Sequence, residues 1–509
     1  MTADNLAGLV RRAAELAPAK PALLHQDRML TWSELDEQVG RAATALRSLG
    51  LRRGDRVAIA LGNTPTFALS YFGALRAGLV ALPVNPASTA AELGHVLGDS
   101  GAAALIGQPA VVDAVLALGG KLAAMRHVVV ADGSQPADRA LVLDQLLDAA
   151  IPAAASAGAG EDLAVLLYTS GTSGRPRGAM LTHRALLANL EQCGRIEPPV
   201  MAGDDVVLLV LPLFHIYGLN AALGMVARHA ATGVLVERFD PVETLAVMRT
   251  HQVSNVVGAP PMYVAWSLMP DIGDAFSHVR LAVSGAAPLS PQVLGRFLEV
   301  TGHHIFEGYG LTETAPVLTT TLMSAVAKPG SIGRPVPGVE LRLLDAAGAV
   351  VPDDDAGEIT VRGANVFSGY WPDGVGGPDD AGWFRTGDVA YADDDDDLYV
   401  VDRRRELVLV SGFNVYPREV EDVLARHLGI EEAAVIGIPH PYTGESVKAF
   451  VVRRPGVELS AAEVIEHCAR DLAAFKCPTS VRFVTELPHS ATGKTAKGRL
   501  RDDIESAAG

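Results

Sequence analysis

Leu163-Ala-Val-Leu-Leu-Tyr168 runs straight into Thr169-Ser-Gly-Thr-Ser-Gly-Arg-Pro-Arg-Gly178. The first stretch reads as a buried strand, and the second is a glycine-rich loop carrying four hydroxyls. Such a loop clusters backbone N–H groups and hydroxyls, which suits phosphate oxygens. It lacks the G-x-x-x-x-G-K-[ST] pattern of ordinary kinases and GTPases. A helix is expected to follow, with Thr182 as its N-cap. The bland alternative is a flexible turn. Upstream, Thr31-Trp-Ser-Glu34 is a capping-box pattern opening an amphipathic run through Leu35, Val39, Ala42, Leu46 and Leu49, with a stop at Gly50. Arg56–Leu61 reads as a strand, Pro65–Ala77 as a helix and Leu79–Val84 as the next strand. Short apolar runs recur downstream at Val206–Leu211, Gly233–Glu237, Asn255–Gly258, Leu281–Ser284 and Ile305–Glu307. Strand–helix alternation with short joints predicts an α/β fold of doubly wound parallel sheets.

The chain has 509 residues, 49% hydrophobic and 20% charged, which excludes disorder for most of it and implies more than one lobe. Net charge is −17, which argues against nucleic acid and against docking on anionic membranes. The apolar stretch from Val206 to Val236 is broken by Pro212, His215, Asn220, Arg228 and His229, so no integral membrane segment is read there. Cys193, Cys468 and Cys477 match no zinc or redox spacing and read as free thiols of a reducing cytoplasm. The N-terminus shows no signal pattern, and the protein is expected to be cytoplasmic. A homodimer is admitted as an assembly. Only 7 of the 42 basic residues are lysine, so a lysine inside a motif is conspicuous.

Near residue 330 short β-like runs separated by Gly, Pro and Asp begin and continue to about 402, suggesting a small β-barrel or sheet. Ala153–Gly160 reads as a surface linker, and Asp393–Asp397 as a solvated hairpin turn rather than a metal site. The last hundred residues read as a small α+β unit.

Further motifs stand in order after the glycine-rich loop: Gly308-Tyr-Gly-Leu-Thr-Glu-Thr314, Arg385-Thr-Gly-Asp388, Asp402-Arg-Arg-Arg-Glu-Leu407 with Gly412-Phe-Asn-Val-Tyr-Pro417, and Pro488-His-Ser-Ala-Thr-Gly-Lys494. Together they resemble the adenylate-forming (AMP-binding) superfamily, in its acyl-CoA synthetase and 4-coumarate–CoA ligase-like branch. The resemblance spans nearly the whole chain. It implies a large N-terminal AMP-binding domain at 1–402 and a small mobile C-terminal domain at 403–509. It also implies two half-reactions. A carboxylate attacks the α-phosphate of ATP, giving acyl-adenylate and pyrophosphate; the thiol of coenzyme A then displaces AMP.

By that resemblance Thr169 and Glu313 are the Mg2+-side ligands, and Lys494 binds the carboxylate and the bridging oxygen. Ser170, Gly171, Thr172, Ser173, Gly174 and Arg177 face the phosphates. Arg177 stands where the family usually has Lys, a swap read as tolerated given the arginine bias. Gly285, Ala286, Glu307, Gly308, Tyr309, Gly310 and Thr312 surround adenine and the α-phosphate. Asp388 takes the ribose hydroxyls, with Arg403 nearby. Asp402 and Arg405 lie at the hinge, while Ser411, Gly412, Phe413 and Asn414 serve the CoA pose. Lys497, three residues past Lys494, is expected to face solvent.

Leu211-Pro-Leu-Phe-His-Ile-Tyr-Gly-Leu-Asn220 resembles the acid-binding stretch of the same branch. His215 is expected to guide the carboxylate; its structural alternative is a hydrogen-bonded core histidine. Tyr217, Val283, Ala286, Gly308, Gly310, Pro316 and Val317 are the implied pocket walls. None is charged, so the implied substrate is a small-molecule carboxylic acid with an apolar tail. Gly218 and Ala221 are read as leaving room, favouring a medium to long fatty acid. The alternatives are an aryl acid of the 4-coumarate kind, a fatty acyl-AMP ligase loading a carrier protein, a luciferase-like oxygenase and a non-catalytic nucleotide- or acyl-binding scaffold.

Overall fold

The computed structural model describes residues 4–131, 140–153, 157–158, 160–169, 176–270, 272–352, 355–403, 408–410, 413–440, 444–472, 474–489 and 495–501, with the backbone alone at 402, 403, 409, 413, 414 and 444. The chain forms two compact units, Met1–Glu340 with Arg362–Phe384, and Leu341–Val361 with Arg385–Gly509.

The first unit holds two sheets. One has seven strands in the order Leu141–Val142, His127–Val130, Ala104–Gly107, Arg56–Ala60, Val80–Pro83, Leu163–Thr169, Arg177–Thr182. Its members are parallel except the last, which folds back on Leu163–Thr169 as a hairpin. The helices Pro65–Ala77 and Ala90–Ser100 are capped by Thr64 and Thr89 and end at left-handed Gly78 and Gly101. Leu82, Leu105, Val130 and Leu166 make the buried seam behind these strands.

The other sheet has nine strands, in the order Arg334–Pro335, Val317–Thr320, Ile305–Gly310, Leu281–Ser284, Asn255–Gly258, Val206–Leu209, Thr232–Leu235, Pro21–His25, Arg28–Thr31. Its centre is parallel and both flanks are antiparallel. The expected α/β architecture of parallel sheets therefore holds, with antiparallel edges added. The helix Trp32–Ser48 opens with the expected capping box, Thr31 and Glu34 exchanging side-chain bonds with each other's backbone.

Between Ile216 and Met225 the chain forms a π-helix, Tyr217–Gly224, continued by the α-helix Met225–His229. Among the described residues no helix is long and apolar enough to cross a membrane. The described parts of the 153–160 segment are docked rather than free: Ala153 N–H donates to Gly40, and Ala157 N–H to Arg76, both at 3.0 Å.

In the second unit the strands Val339–Leu344, Gly357–Gly363, Phe384–Ala392 and Leu398–Arg403 form a four-stranded sheet in chain order, the open-sheet form of the region read as a barrel or sheet. Asp393–Asp397 is its hairpin turn, where the Asp393 carboxylate accepts from Asp395 and Asp397 N–H at 3.0 Å. A five-stranded sheet comes next, built around the long pair Ile430–His440 and Gly444–Arg453. The helices Pro417–Leu424 and Ala461–Asp471 pack on it through Val420, Leu424, Val464 and Cys468. The three cysteines are free and buried.

Candidate active site

The glycine-rich loop lies between two antiparallel strands, Leu163–Thr169 and Arg177–Thr182, the second of which is not expected from the sequence; the helix expected after the loop, capped by Thr182, is present. Thr169 ends one strand, Arg177 begins the next, and the two stand opposite each other in register. Thr182 does cap a helix, accepting from Ala185 N–H at 3.1 Å, but that helix, His183–Cys193, starts only after the second strand. Ser170, Gly171, Thr172, Ser173 and Gly174 lie outside the described residues.

A segment that the sequence motifs do not single out runs along the outer edge of the hairpin. Ser368 N–H donates to Met180 at 3.0 Å, Met180 N–H to Gly369 at 3.0 Å, and Trp371 N–H to Gly178 at 2.8 Å. This edge pairing fixes Tyr370. The Arg177 guanidinium lies 3.7 Å from the centre of the Tyr370 ring. The Tyr370 hydroxyl donates to Glu313 Oε1 at 2.5 Å. The signal in the sequence was Ser368-Gly-Tyr-Trp371 itself, two aromatics beside a glycine.

Glu313 stands in a one-turn helix, Thr312–Thr314, directly after the strand Ile305–Gly310. It is buried, and its carbonyl accepts from Phe367 N–H at 2.9 Å. Three buried carboxamides brace the backbone from Thr314 to Val317, and a fourth, Gln192, holds one of them. Asn189 Nδ2 donates to the Val317 carbonyl at 2.7 Å, and its Oδ1 accepts from Val317 N–H at 3.0 Å. Asn220 donates to Ala315 at 2.7 Å, and Asn365 to Thr314 at 2.8 Å. Gln192 donates to Asn365 Oδ1 at 3.0 Å. Sequence reasoning missed these amides because they come from three separate segments.

The adenine-side candidates lie at the ends of adjacent strands. Val283 pairs with Phe306 and Ser284 with Glu307, while Gly308 faces Thr320 and Gly310 faces Val317. Gly310 has to be glycine: a Cβ there would stand 1.8 Å from the Pro316 carbonyl oxygen. Gly285 likewise admits the Tyr217 ring, which a Cβ would approach to 2.9 Å. Ala286 takes a left-handed φ of 73°, uncommon for a residue with a Cβ and frequent at functional turns. Glu307 is buried and accepts from Leu289 N–H at 2.9 Å, tying this turn to its strand. Tyr309 is half-buried, and Thr312 sits one residue before Glu313.

His215 opens the acid-side stretch. Its N–H donates to Pro212 at 3.0 Å, and its Nδ1 accepts from Tyr217 N–H at 3.3 Å. Packing among apolar atoms pushes its ring down to about 4, so it is neutral near pH 7. Part of its surface remains open, so it is not a sealed core histidine. Burial also pushes the Tyr217 hydroxyl upward, leaving it un-ionised. Pro316 and Val317 come three and four residues after Glu313. Gly218 does not leave room for a tail, contrary to expectation: a Cβ there would meet the Pro212 carbonyl at 2.5 Å, so its small size admits backbone.

In the second unit Asp388 is buried and lies opposite Arg403 in register, with Asp402 opposite Val389. Phe413 and Asn414 pair with Val410 and Leu409. Arg405, Ser411, Gly412 and Lys494 lie outside the described residues. Lys497 corrects its expectation: its ammonium stands 2.8 Å from Glu421, and its side chain is only 13% exposed.

Oxygen donors alone are offered by Thr169 and Glu313, the donor chemistry that suits Mg2+. Among the described residues no group of three or more His, Cys, Asp or Glu could hold a metal by itself. An ion here would draw its other ligands from phosphate and water.

Residues 10–371 match the AMP-binding enzyme family, and residues 419–494 match the AMP-binding enzyme C-terminal domain. The chain belongs to the AMP-binding enzyme family and is an adenylate-forming enzyme. It is 35% identical to a long-chain-fatty-acid–CoA ligase of Salmonella typhimurium, over 98% of this chain and 94% of that one. It is 38% identical to a feruloyl-CoA synthase of an Amycolatopsis species, over 96% and 97%. The crystal structure of ATP-bound MatB from Rhodopseudomonas palustris superposes with a TM-score of 0.90 at 33% identity, over 98% of this chain and 99% of that one.

Proposed function

We propose that the protein is an ATP-dependent acyl-CoA ligase of the cytoplasm that activates medium- to long-chain fatty acids through an acyl-adenylate. One observation carries this reading. The segment Leu311–Val317 sets the buried Glu313 carboxylate and the uncharged Pro316–Val317 wall within a few residues, and buried carboxamides hold the backbone between them at Thr314 and Ala315 and at Val317. A charge-handling site and an apolar acid site thus share one braced element. Carboxylate and triphosphate are both anionic, so the first step depends on positioning and charge neutralisation.

Thr169 and Glu313 would hold Mg2+, which when bound supplies positive charge to the phosphate oxygens. Neutral His215 offers the incoming carboxylate a hydrogen-bond donor without binding a counter-ion of its own. Lys494 neutralises the charge that converges as a carboxylate oxygen bonds to the α-phosphorus and pyrophosphate leaves. Asp388 takes the ribose hydroxyls. In the second step the CoA sulfur bonds to the acyl carbon and AMP departs. Residues 403–509 move between the two steps about a hinge at Asp402–Arg405 and present Gly412–Asn414 to the thiol.

An aryl acid is the second reading, favoured by the Tyr217 ring lying against Gly285. CoA-dependent AMP release over a panel of acids tests both. The fatty-acid reading expects activity to climb from acetate through octanoate to palmitate, since each buried methylene contributes about 0.8 kcal/mol. A preference for cinnamate-type acids selects the second reading. Acetate, malonate or an amino acid as the best substrate would defeat both.

A further inference from the structure

Arg177 stands where the family resemblance implies lysine, and its guanidinium is already engaged by protein groups. Its guanidinium lies over the Tyr370 ring, 3.7 Å from the ring centre, and its Nη2 donates to the Val375 carbonyl at 3.2 Å. Tyr370 is itself braced. Its N–H donates to Val375 at 3.3 Å, its carbonyl accepts from Gly374 at 2.8 Å, and Phe367 packs edge-on at 5.0 Å. Gly376, with φ of 76°, closes the loop over the pair; a Cβ there would stand 3.2 Å from the ring and 3.4 Å from the Arg177 guanidinium. The far end of the ring delivers its hydroxyl to Glu313 Oε1 at 2.5 Å.

We propose that Arg177 is a positioning residue for adenylation, acting through the Tyr370 hydroxyl to hold the Glu313 carboxylate rather than as a ligand of the ATP phosphates. A cation on the ring face draws electron density toward itself and sharpens the hydroxyl as a donor. The hydroxyl-to-carboxylate bond is charge-assisted and directional, so it fixes the orientation of the second carboxylate oxygen. Mg2+ demands near-ideal octahedral geometry, so a few tenths of an ångström at that oxygen affect its binding. Arginine suits this role because a planar guanidinium stacks on a ring, whereas a lysine ammonium is a compact, strongly hydrated point. The inference rests on the reading of Glu313 as a metal-side ligand.

The test is calorimetric titration of α,β-methylene-ATP at a series of Mg2+ concentrations, without acid, on wild type, Y370F, R177M, R177K, the R177M/Y370F double variant and E313Q. Thermal melts confirm that each variant is folded. Tyr370→Phe changes one oxygen and is the variant least able to disturb the fold. Y370F is expected to raise the Mg2+ concentration for half-saturation about tenfold, the loss typical of one hydrogen bond to a charged group. R177M and R177K should shift it the same way by less, and the double variant should match Y370F alone. If R177M weakens nucleotide binding as much in the Y370F background as in wild type, Arg177 acts independently of Tyr370 and the proposal fails. If Y370F leaves the Mg2+ dependence unchanged while E313Q alters it, the proposal fails and the metal reading stands. If E313Q leaves it unchanged too, the metal reading fails and takes the proposal with it.

Discussion

Asn189 grips the backbone of Val317 at two points, donating to its carbonyl and accepting from its N–H, as a neighbouring strand would. Both polar atoms of one carboxamide are used, and the residue is 1% exposed. Asn189→Asp keeps the shape but loses the donor and buries a charge; Asn189→Leu loses both bonds. Each is expected to cost about 1–3 kcal/mol of stability, by urea denaturation. The rate of adenylation should fall further than stability alone explains, because the Glu313 loop loosens. Stability loss with adenylation unaffected would restrict Asn189 to a folding role.

Two glycines make opposite predictions. Gly310→Ala would force a Cβ to within 1.8 Å of the Pro316 oxygen, so the turn between Gly310 and Val317 would have to open. Adenylation should be lost by about a hundredfold or more, on the scale of removing one transition-state donor. Gly295, exposed in the helix Pro291–Thr301, has nothing within 4 Å of its Cβ position. Gly295→Ala should stabilise by about 0.5–1 kcal/mol with activity unchanged, by the same denaturation series.

Much of the scaffold was legible because it is written locally. The Thr31–Glu34 capping box and the helix Pro65–Ala77 are set by neighbours in sequence, and the strands Asn255–Gly258 and Leu281–Ser284 are buried parallel runs with continuous apolar character. The strand Arg177–Thr182 was not legible. Its pairing is set across the loop by Leu163–Thr169, whereas Thr182 alone signals a helix. The Ser368–Trp371 edge, the carboxamides Asn189, Asn220 and Asn365 and the ion pair of Lys497 with Glu421 depend on contacts between distant segments. Periodicity carries no trace of such contacts. The site motifs were found by resemblance, and the geometry adds how Glu313 is held.

Acid should destabilise the protein through two histidines. Burial pushes His183 and His215 each down to about 4, from an ordinary value of 6.5. Between those values the unfolded chain binds more protons than the folded one, so stability falls as the pH drops from about 6.5 to about 4. His183 makes the clearer test, since it is 1% exposed and its Nδ1 accepts from Leu6 N–H at 3.2 Å. Its share is on the order of 3 kcal/mol across that window. His183→Asn keeps an acceptor but cannot titrate, so its melting temperature should vary less between pH 7 and pH 4 than that of wild type. An equal acid dependence would place the titration elsewhere.

Lys494 separates the half-reactions. Lys494→Ala should lose adenylation by several orders of magnitude, since removing one charge-stabilising donor costs about 10²–10³ or more. Supplied with synthetic acyl-adenylate and CoA, the same variant should form thioester near the wild-type rate. Lys494→Arg should also be impaired, because a broad guanidinium does not replace a point charge. Equal loss of both half-reactions in a folded Lys494→Ala variant would contradict a domain movement between them.

The most direct measurement of the central claim is exchange of labelled pyrophosphate into ATP, run without CoA and with palmitate present or absent. An acyl-adenylate mechanism predicts exchange that requires both the acid and Mg2+, and that gives way to AMP and palmitoyl-CoA once CoA is added. Thioester formation with no acid-dependent exchange before CoA is added would contradict the account.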